Sequence, residues 1–366
     1  MQRTHPFARP AIQPYLVTAA DMQKIEGRLF EAGIPVAALM EKVSGRLTQW
    51  FVHHYHQHYP QQDCSQRHHS PQTNKRQTNK RQIGVLAGPG HNGGDALVVA
   101  RELYHQGFEV YIYQPFAKCK PLTEQHARYA KHLGIRFVES VEELTDCSAI
   151  IDGWFGFGLT RPITDTLACD IATLNQQTIP IFSIDLPSGI HTDTGQLMGT
   201  ALKATYTACL GLWKRAFMQE QALEYFGQAS LIDFDIPVAD IEAVLGTSPS
   251  AQRIIDRTAL NAIALHRSHT AHKYTAGHLL LIAGSRQYAG AALLAGLGAV
   301  ASGVGMLTLA VPESIRLTLL TQLPGALIVG CAETEAGAIA HLPATVDLSK
   351  YDAIALGPGL TTATPS

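Results

Sequence analysis

The stretch IGVLAGPGHNGGDALVVARELYHQ (83–106) decides the fold of the first part of this chain. Its opening apolar run predicts a buried strand, and its amphipathic second half predicts a helix over 94–106. Glycines between a strand and a helix let backbone amides approach a phosphate, and the helix N-terminus favours negative charge. The stretch therefore predicts an anion-binding loop within a strand–helix unit.

Further apolar runs continue this alternation toward the C-terminus, with a second amphipathic helix predicted over 120–133. Alternating strands and helices predict an α/β fold, a parallel sheet covered on both faces. Ligands of such folds bind beyond the carboxyl ends of the strands, so polar residues there are candidate site residues. The predicted strands of this first part are 83–88, 108–113, 148–152, 179–185 and 205–211.

On the N-terminal side, apolar residues at three- and four-residue spacing over 36–51 predict an amphipathic helix. The composition then changes to a Gln-rich tract with clustered histidines, which ends in the repeat TNKRQTNKRQ. Clustered histidines can bind metal, but this tract has no fixed ligand spacing. We therefore expect a disordered surface insertion over about 53–82.

Three further motifs place polar side chains at predicted strand ends. DGWFGFGLTRP (152–162) joins a carboxylate to a second glycine-bearing loop, SIDLPSG (183–189) carries Asp185 and Ser188, and LWKR (212–215) carries Lys214. Each could be ordinary, since an aspartate before a turn is often a turn former and a lysine is often a solvated charge. Asn92, Asp152 and Ser188 together offer hard oxygen ligands suited to an alkali or alkaline-earth cation and not to zinc.

A nicotinamide-dependent oxidoreductase is one alternative, because 88–93 satisfies the GxGxxG pattern. That class expects an acidic residue about 20 positions later to bind the ribose. The second strand ends instead in Tyr113-Gln114-Pro115, without a carboxylate, which weakens the interpretation.

Charge and composition exclude other classes. Lys and Arg number 28 and Asp and Glu 30, a net charge of −2 without a nucleic-acid footprint. The charge-free stretch 289–312 is long enough to span a membrane, but its glycines and strand-like end favour a helix packed on a sheet. The six widely spaced cysteines and the missing signal peptide predict a cytoplasmic protein.

In this order the four motifs resemble the YjeF N-terminal family of NAD(P)H-hydrate epimerases. The opening AADMQKIEGRLFEAGIPVAALMEKVSG (19–45) is similar to that family's first segment. The resemblance covers about 14–240 apart from the insertion, and it implies a Rossmann-like three-layer fold, a K+ ion and inversion at C6 of NAD(P)HX, the hydrated cofactor.

Carried over position by position, the resemblance implies K+ ligands at Asn92, Asp152 and Ser188 and catalytic roles for Asp185 and Lys214. Asp185 would also contact substrate. The other substrate-contacting positions it implies are His91, Asn92, Gly93, Gly94, Asp95, Gly156, Phe157, Gly158, Leu159, Thr160, Arg161 and Pro162. Two positions depart from the family pattern: His91 replaces a usual Asn, from which we expect weakened or retuned binding, and Ala96 replaces a common Gly.

After a predicted linker over 241–265, residues 266–366 begin a second unit with predicted strands at 278–285, 306–314 and 351–359. Residues 272–360 are similar to the start of the ADP-dependent NAD(P)HX dehydratases, which implies a partial ribokinase-like α/β domain using ADP or ATP. Its substrate-site positions would be Ala291, Ala292 and Gly359. The family's Gly-Thr-Gly-Asp catalytic loop is absent from the sequence, so we expect no dehydratase activity from these 366 residues.

Some epimerase relatives are non-enzymatic, RNA-associated dimeric scaffolds, which is a second alternative. The presence of Asn92, Asp152, Asp185, Ser188 and Lys214 together argues against it, and the near-neutral charge argues against RNA. We expect NAD(P)HX as the small-molecule partner, no nucleic acid or membrane, and a homodimer or higher oligomer as an open option. The preference between NADHX and NADPHX stays open.

Overall fold

The computed structural model describes residues 15–58, 82–246 and 270–361. The chain divides into two compact units, Met1–Ala259 and Leu260–Ser366. Each is built around its own parallel sheet.

The first unit carries a seven-stranded sheet in the order β4-β3-β2-β5-β6-β7-β9, in which every pairing is parallel. A separate two-stranded pair joins β1 to β8. The strands are β1 (Leu16–Val17), β2 (Gln82–Ala87), β3 (Glu109–Tyr113), β4 (Arg136–Val138), β5 (Ala149–Gly153), β6 (Ile181–Ile184), β7 (Tyr206–Leu210), β8 (Trp213–Lys214) and β9 (Gln228–Ile232).

Helices cover this sheet, as the alternation of apolar runs predicts. They are α1 (Ala19–Glu31), α2 (Val36–His58), α3 (His91–His105), α4 (Pro121–His132), α5 (Asp165–Asn175), α6 (Leu223–Phe226) and α7 (Val238–Leu245). Local signals fix two of their starts. Thr18 and Asp21 form a reciprocal capping box at α1, and Pro121 occupies the first turn of α4.

The predicted strands and both predicted helices of this unit are confirmed to within a few residues. The helical stripe over 36–51 is also confirmed, with Leu39, Val43, Leu47 and Phe51 in the core. Four strands were not predicted from the sequence (β1, β4, β8 and β9). They are two to five residues long and carry little apolar pattern of their own.

Two predicted boundaries are wrong. The predicted insertion begins at about 53, but α2 continues to His58, since Tyr55 is buried and its hydroxyl lies 2.9 Å from Ser148 Oγ. The predicted linker begins at 241, but α7 runs to Leu245 and buries Ile241. In the first case a buried side chain extends a helix into a polar sequence, and in the second the mostly apolar run 241–245 continues the helix onto the core. The remainder of the insertion and of the linker lies outside the described residues.

The second unit has a five-stranded sheet in the order β13-β12-β11-β10-β14, parallel except for the β12–β13 pairing. Its helices are Ala289–Ala301 and Glu313–Gln322. Its strands are β10 (His278–Ala283), β11 (Met306–Pro312), β12 (Leu327–Glu333), β13 (Ile339–His341) and β14 (Ala353–Gly357). The α/β class is thereby confirmed for both units.

The charge-free stretch 289–312 forms a 13-residue helix followed by strand β11, as its glycines predict. No helix in the described part of the chain is long and apolar enough to cross a membrane.

Candidate active site

The first glycine loop joins β2 to α3, at the carboxyl edge of the sheet. A Cβ on Gly88 would overlap the carbonyl of Trp154 in the neighbouring loop, so glycine is required for this close approach. Asn92 lies in the first turn of α3, and its buried amide Nδ2 has no hydrogen-bond partner. Asp95 is directed inward, where Ser44 Oγ lies 3.4 Å from its Oδ1.

The register of the sheet places Asp152, at the end of β5, opposite Ser183 of β6. The Asp152 carboxylate is fully buried and accepts hydrogen bonds from Ser183 Oγ (2.8 Å), Ser188 N (2.8 Å) and Ser188 Oγ (2.6 Å). Phe155 N donates in turn to Ser188 Oγ (2.9 Å), which ties the second glycine loop to this pair. Burial raises the pKa of Asp152, and these hydrogen bonds oppose the shift.

Asp185 follows β6 in the left-handed region, at φ = 68°. Aspartate tolerates that conformation better than most residues, and an observed positive φ at a polar strand end is typical of functional positions. The turn directs its carboxylate toward Phe157 N (2.9 Å) and Lys214 Nζ (2.5 Å).

Lys214 lies on β8, is fully buried, and also donates to Leu210 O at 2.5 Å. Burial by itself lowers the pKa of Lys214, but the adjacent Asp185 carboxylate outweighs burial, so that the pKa is raised. Lysine therefore stays charged and forms a buried ion pair with Asp185 at the carboxyl edge of the sheet.

Gly156 is the point at which these groups meet. A Cβ on it would lie 2.9 Å from Asp185 Oδ2 and 3.1 Å from Asn92 Oδ1. Phe155, which precedes Gly156, donates a hydrogen bond to Ser188 Oγ, and Ser188 Oγ donates to Asp152. The four predicted side chains at 92, 152, 185 and 188 therefore form one cluster around Gly156.

The remaining predicted positions differ in accessibility. Phe157 is half-buried, with Lys214 Nζ 5.8 Å from its ring centroid. Gly93, Gly94 and Asp95 are buried, whereas the exposed positions, open to a ligand, are His91, Gly158, Thr160, Arg161 and Pro162. The Ala96 methyl fits because its neighbour is a glycine, Gly153. A Cβ at position 153 would collide with the Ala96 methyl.

Sequence reasoning missed Glu26. The β1–β8 pairing sets Val17 opposite Lys214 and so brings α1 beside the ion pair. Burial raises the pKa of Glu26 to about 7, against the opposing effect of Lys214, and Asp185 raises it further. A signal was available, because Glu26 shares the spacing of Met22, Ile25 and Leu29, the buried stripe of α1.

The donor set fits a hard cation. Within residues 15–58, 82–246 and 270–361, no group of three His, Cys, Asp or Glu side chains is arranged to hold a metal ion. Asp152 forms no ion pair with a cationic side chain of that described part, and the unpaired Asn92 amide can turn its oxygen toward a ligand. A buried carboxylate beside hydroxyl and amide oxygens suits an alkali or alkaline-earth ion.

In the second unit, the predicted positions also come together. Gly359, at φ = 83°, follows β14, and a Cβ there would lie 2.8 Å from Ala291 Cβ. A Cβ on Gly284, at the end of β10, would lie 2.9 Å from Ala292 Cβ, and Gly284 N donates to Pro358 O (2.9 Å).

Comparisons with known proteins agree with this division. Residues 36–216 match the family model described as YjeF-related protein N-terminus, and residues 279–365 match that described as NAD(P)H-hydrate dehydratase. The crystal structure of yeast ynu0 has a TM-score of 0.51 at 20% identity, covering 65% of this chain and 98% of that chain, which shows a shared fold.

Two curated relatives are named bifunctional NAD(P)H-hydrate repair enzyme Nnr. The protein of Thermosynechococcus vestitus is 49% identical over 348 residues, which is 95% of this chain and 65% of that protein. The protein of Synechocystis sp. is 49% identical over 346 residues, 94% of this chain and 62% of that protein. This chain thus spans less than two-thirds of the length of either relative.

Proposed function

Because this chain belongs to the family that joins a YjeF-related N-terminus to an NAD(P)H-hydrate dehydratase domain, we propose that its first unit is an NAD(P)H-hydrate epimerase. The substrate is NAD(P)HX, in which water has added across the nicotinamide ring. The reaction interconverts the two C6 epimers. The observation that carries the proposal is the buried Asp185–Lys214 pair between two glycine loops.

The reaction requires the C6 configuration to be lost and regained. We propose that an acid/base residue assists reversible departure of the C6 hydroxyl as water, or opening of the ring at the bond between C6 and the ring nitrogen. Either leaves a planar C6, to which water or the ring nitrogen, respectively, adds back from either face. Asp185 is the principal candidate, and Lys214 supports it by holding the carboxylate in place. Glu26, whose pKa of about 7 lets it both give and accept a proton, is the second candidate.

The glycine loops bind the remainder of the substrate. Backbone amides at the start of α3 and in 156–162 are suited to the pyrophosphate, because they present donors without adding bulk. K+ would be held by Asn92, Asp152 and Ser188, where it would neutralise the buried carboxylate and add positive charge beside the substrate. His91, at the mouth of the first loop, tunes binding.

For the second unit we propose a part of an ADP- or ATP-dependent NAD(P)H-hydrate dehydratase, with Ala291, Ala292 and Gly359 forming part of its substrate wall. The 366 residues contain no Gly-Thr-Gly-Asp stretch, so we expect them to lack dehydratase activity. ADP-dependent dehydration of NAD(P)HX by the purified chain would contradict this expectation.

The epimerase proposal is tested by following interconversion of purified (6R)- and (6S)-NAD(P)HX by chromatography, with the uncatalysed rate subtracted. Asp185→Ala should lower the rate by about 10² to 10⁴, the usual contribution of general acid–base catalysis. Asp146→Ala, at an exposed aspartate remote from the cluster, is the matched control and should retain the wild-type rate. Near-normal turnover by Asp185→Ala would remove Asp185 from the mechanism.

A further inference from the structure

A cavity of about 290 Å³ opens at the carboxyl end of β3, outside the cluster around Asp185. Its walls come from the β3–α4 connection and from the exposed side of α4. The residues that matter for its chemistry are Gln114, Phe116, Cys119, Glu124, Arg128 and Lys131. Nothing in the proposed mechanism uses it.

The cavity adjoins both glycine loops. Lys120 N donates to Pro89 O and Thr123 Oγ1 donates to Gly90 O, each at 2.8 Å, which fixes the start of α4 to the first loop. On the other side the Phe116 ring packs edge-on against Phe155 of the second loop, with centroids 5.8 Å apart. These contacts place the cavity next to both loops.

The position of the cavity in the fold corresponds to that of the nucleoside site in dinucleotide-binding folds. Strand β3 pairs with β2 on the side away from β5, so the cavity lies beside the strand that carries the first glycine loop. In dinucleotide-binding folds a carboxylate near this position grips the ribose hydroxyls, and an Arg there accommodates a 2′-phosphate. This strand is followed instead by Gln114, whose neutral amide can bond to ribose without repelling a phosphate.

The charges around the cavity favour an anion. Arg128 and Lys131 line it and Lys118 and Lys120 flank it, against the single lining carboxylate of Glu124. Arg128 is exposed and forms no ion pair with any acid in the described ranges, so its guanidinium is available for bidentate binding. The Lys131 ammonium lies 4.7 Å from the centroid of the Phe137 ring.

We propose that this cavity binds the adenosine end of the substrate and that Arg128 and Lys131 recognise a 2′-phosphate on its ribose. The half-buried Phe116 provides an apolar wall for the base, as in most nucleotide pockets. The inference rests on the proposed epimerase function, and it predicts that the phosphorylated substrate, NADPHX, binds more tightly than NADHX.

Binding and kinetics test it separately. Titration calorimetry with adenosine 2′,5′-bisphosphate and with adenosine 5′-monophosphate should show roughly tenfold or greater preference for the bisphosphate, the value of one charge-assisted contact. The double variant Arg128→Ala/Lys131→Ala should lose this preference. Its KM for NADPHX should rise roughly tenfold more than its KM for NADHX.

Arg136→Ala is the matched control, since Arg136 is exposed and already paired with Glu143 at 2.6 Å, and it should keep the preference. Equal binding of the bisphosphate by wild type and double variant would overturn the inference, as would an unchanged KM ratio in an active epimerase. A protein that shows the binding preference but epimerises neither substrate would support the cavity and refute the epimerase.

Discussion

Removing one member of the Asp185–Lys214 pair should destabilise the first unit far more than breaking a surface ion pair. Lys214 is fully buried, and Asp185 is the one carboxylate that it contacts among the described residues. Asp185→Asn would leave a buried ammonium with only neutral acceptors, the Leu210 carbonyl and the amide oxygen of the substituted side chain, and stranding a buried charge costs about 3–5 kcal/mol. Lys214→Met should cost less, because Phe157 N and Leu210 N still donate to the carboxylate.

The double variant Asp185→Asn/Lys214→Met should be more stable than the summed losses of unfolding free energy in the two single variants predict. Replacing both charges removes the desolvation cost as well as the attraction, so we expect a coupling free energy of at least about 2 kcal/mol. The measurement is urea unfolding at pH 7 of wild type, both single variants and the double variant, on the chain without substrate.

The exposed pair Lys203–Glu224, at 3.0 Å with side chains 54% and 62% exposed, provides a matched control cycle. Its coupling should stay below about 1 kcal/mol, since solvent screens both charges. If the 185–214 cycle yields a coupling as small as that of 203–224, the reasoning from burial is refuted.

Further predictions concern Glu26, Asp152 and His91. Glu26→Gln should abolish the fall in wild-type activity that we expect as pH rises through about 7, where Glu26 loses its proton; a pH–rate profile unchanged by the substitution would exclude Glu26. Because the folded-state pKa of Glu26 exceeds the ordinary 4.5, wild type loses stability as pH rises from 4.5 to about 7. Glu26→Gln should therefore have a higher Tm than wild type at pH 8 and the same Tm at pH 4. Replacing tetramethylammonium by K+ should raise the Tm of wild type but not that of Asp152→Asn. At a K+ concentration 100 times the Kd, the stabilisation of wild type should be about 2.7 kcal/mol. Equal Tm shifts in both proteins would place the ion elsewhere. His91→Asn should lower the KM for NAD(P)HX with little change in kcat, as steady-state kinetics would show, and a loss of kcat instead would give His91 a catalytic role.

Local pattern was sufficient to predict the parallel sheet and most of the candidate site. Buried strands of a parallel sheet are continuous apolar runs, and this pattern predicts strands at 83–88, 148–152 and 205–211. Their carboxyl ends meet at one edge whatever the details of packing, which is why Asp152, Asp185 and Lys214 could be selected from position alone.

Tertiary structure decided what depends on partners distant in the chain. The spacing of Glu26 places it by the buried stripe of α1, but only the β1–β8 pairing brings α1 beside Lys214, where burial raises the pKa of Glu26. The end of α2 is helical because Tyr55 contacts Ser148, and Phe116, one wall of the cavity, packs against Phe155 of a separate loop. The sequence alone determined which elements form and which polar residues end them, since that information lies in short-range patterns. Which groups become buried, paired or open to a ligand followed only from packing, because desolvation and ion pairing depend on neighbours far along the chain.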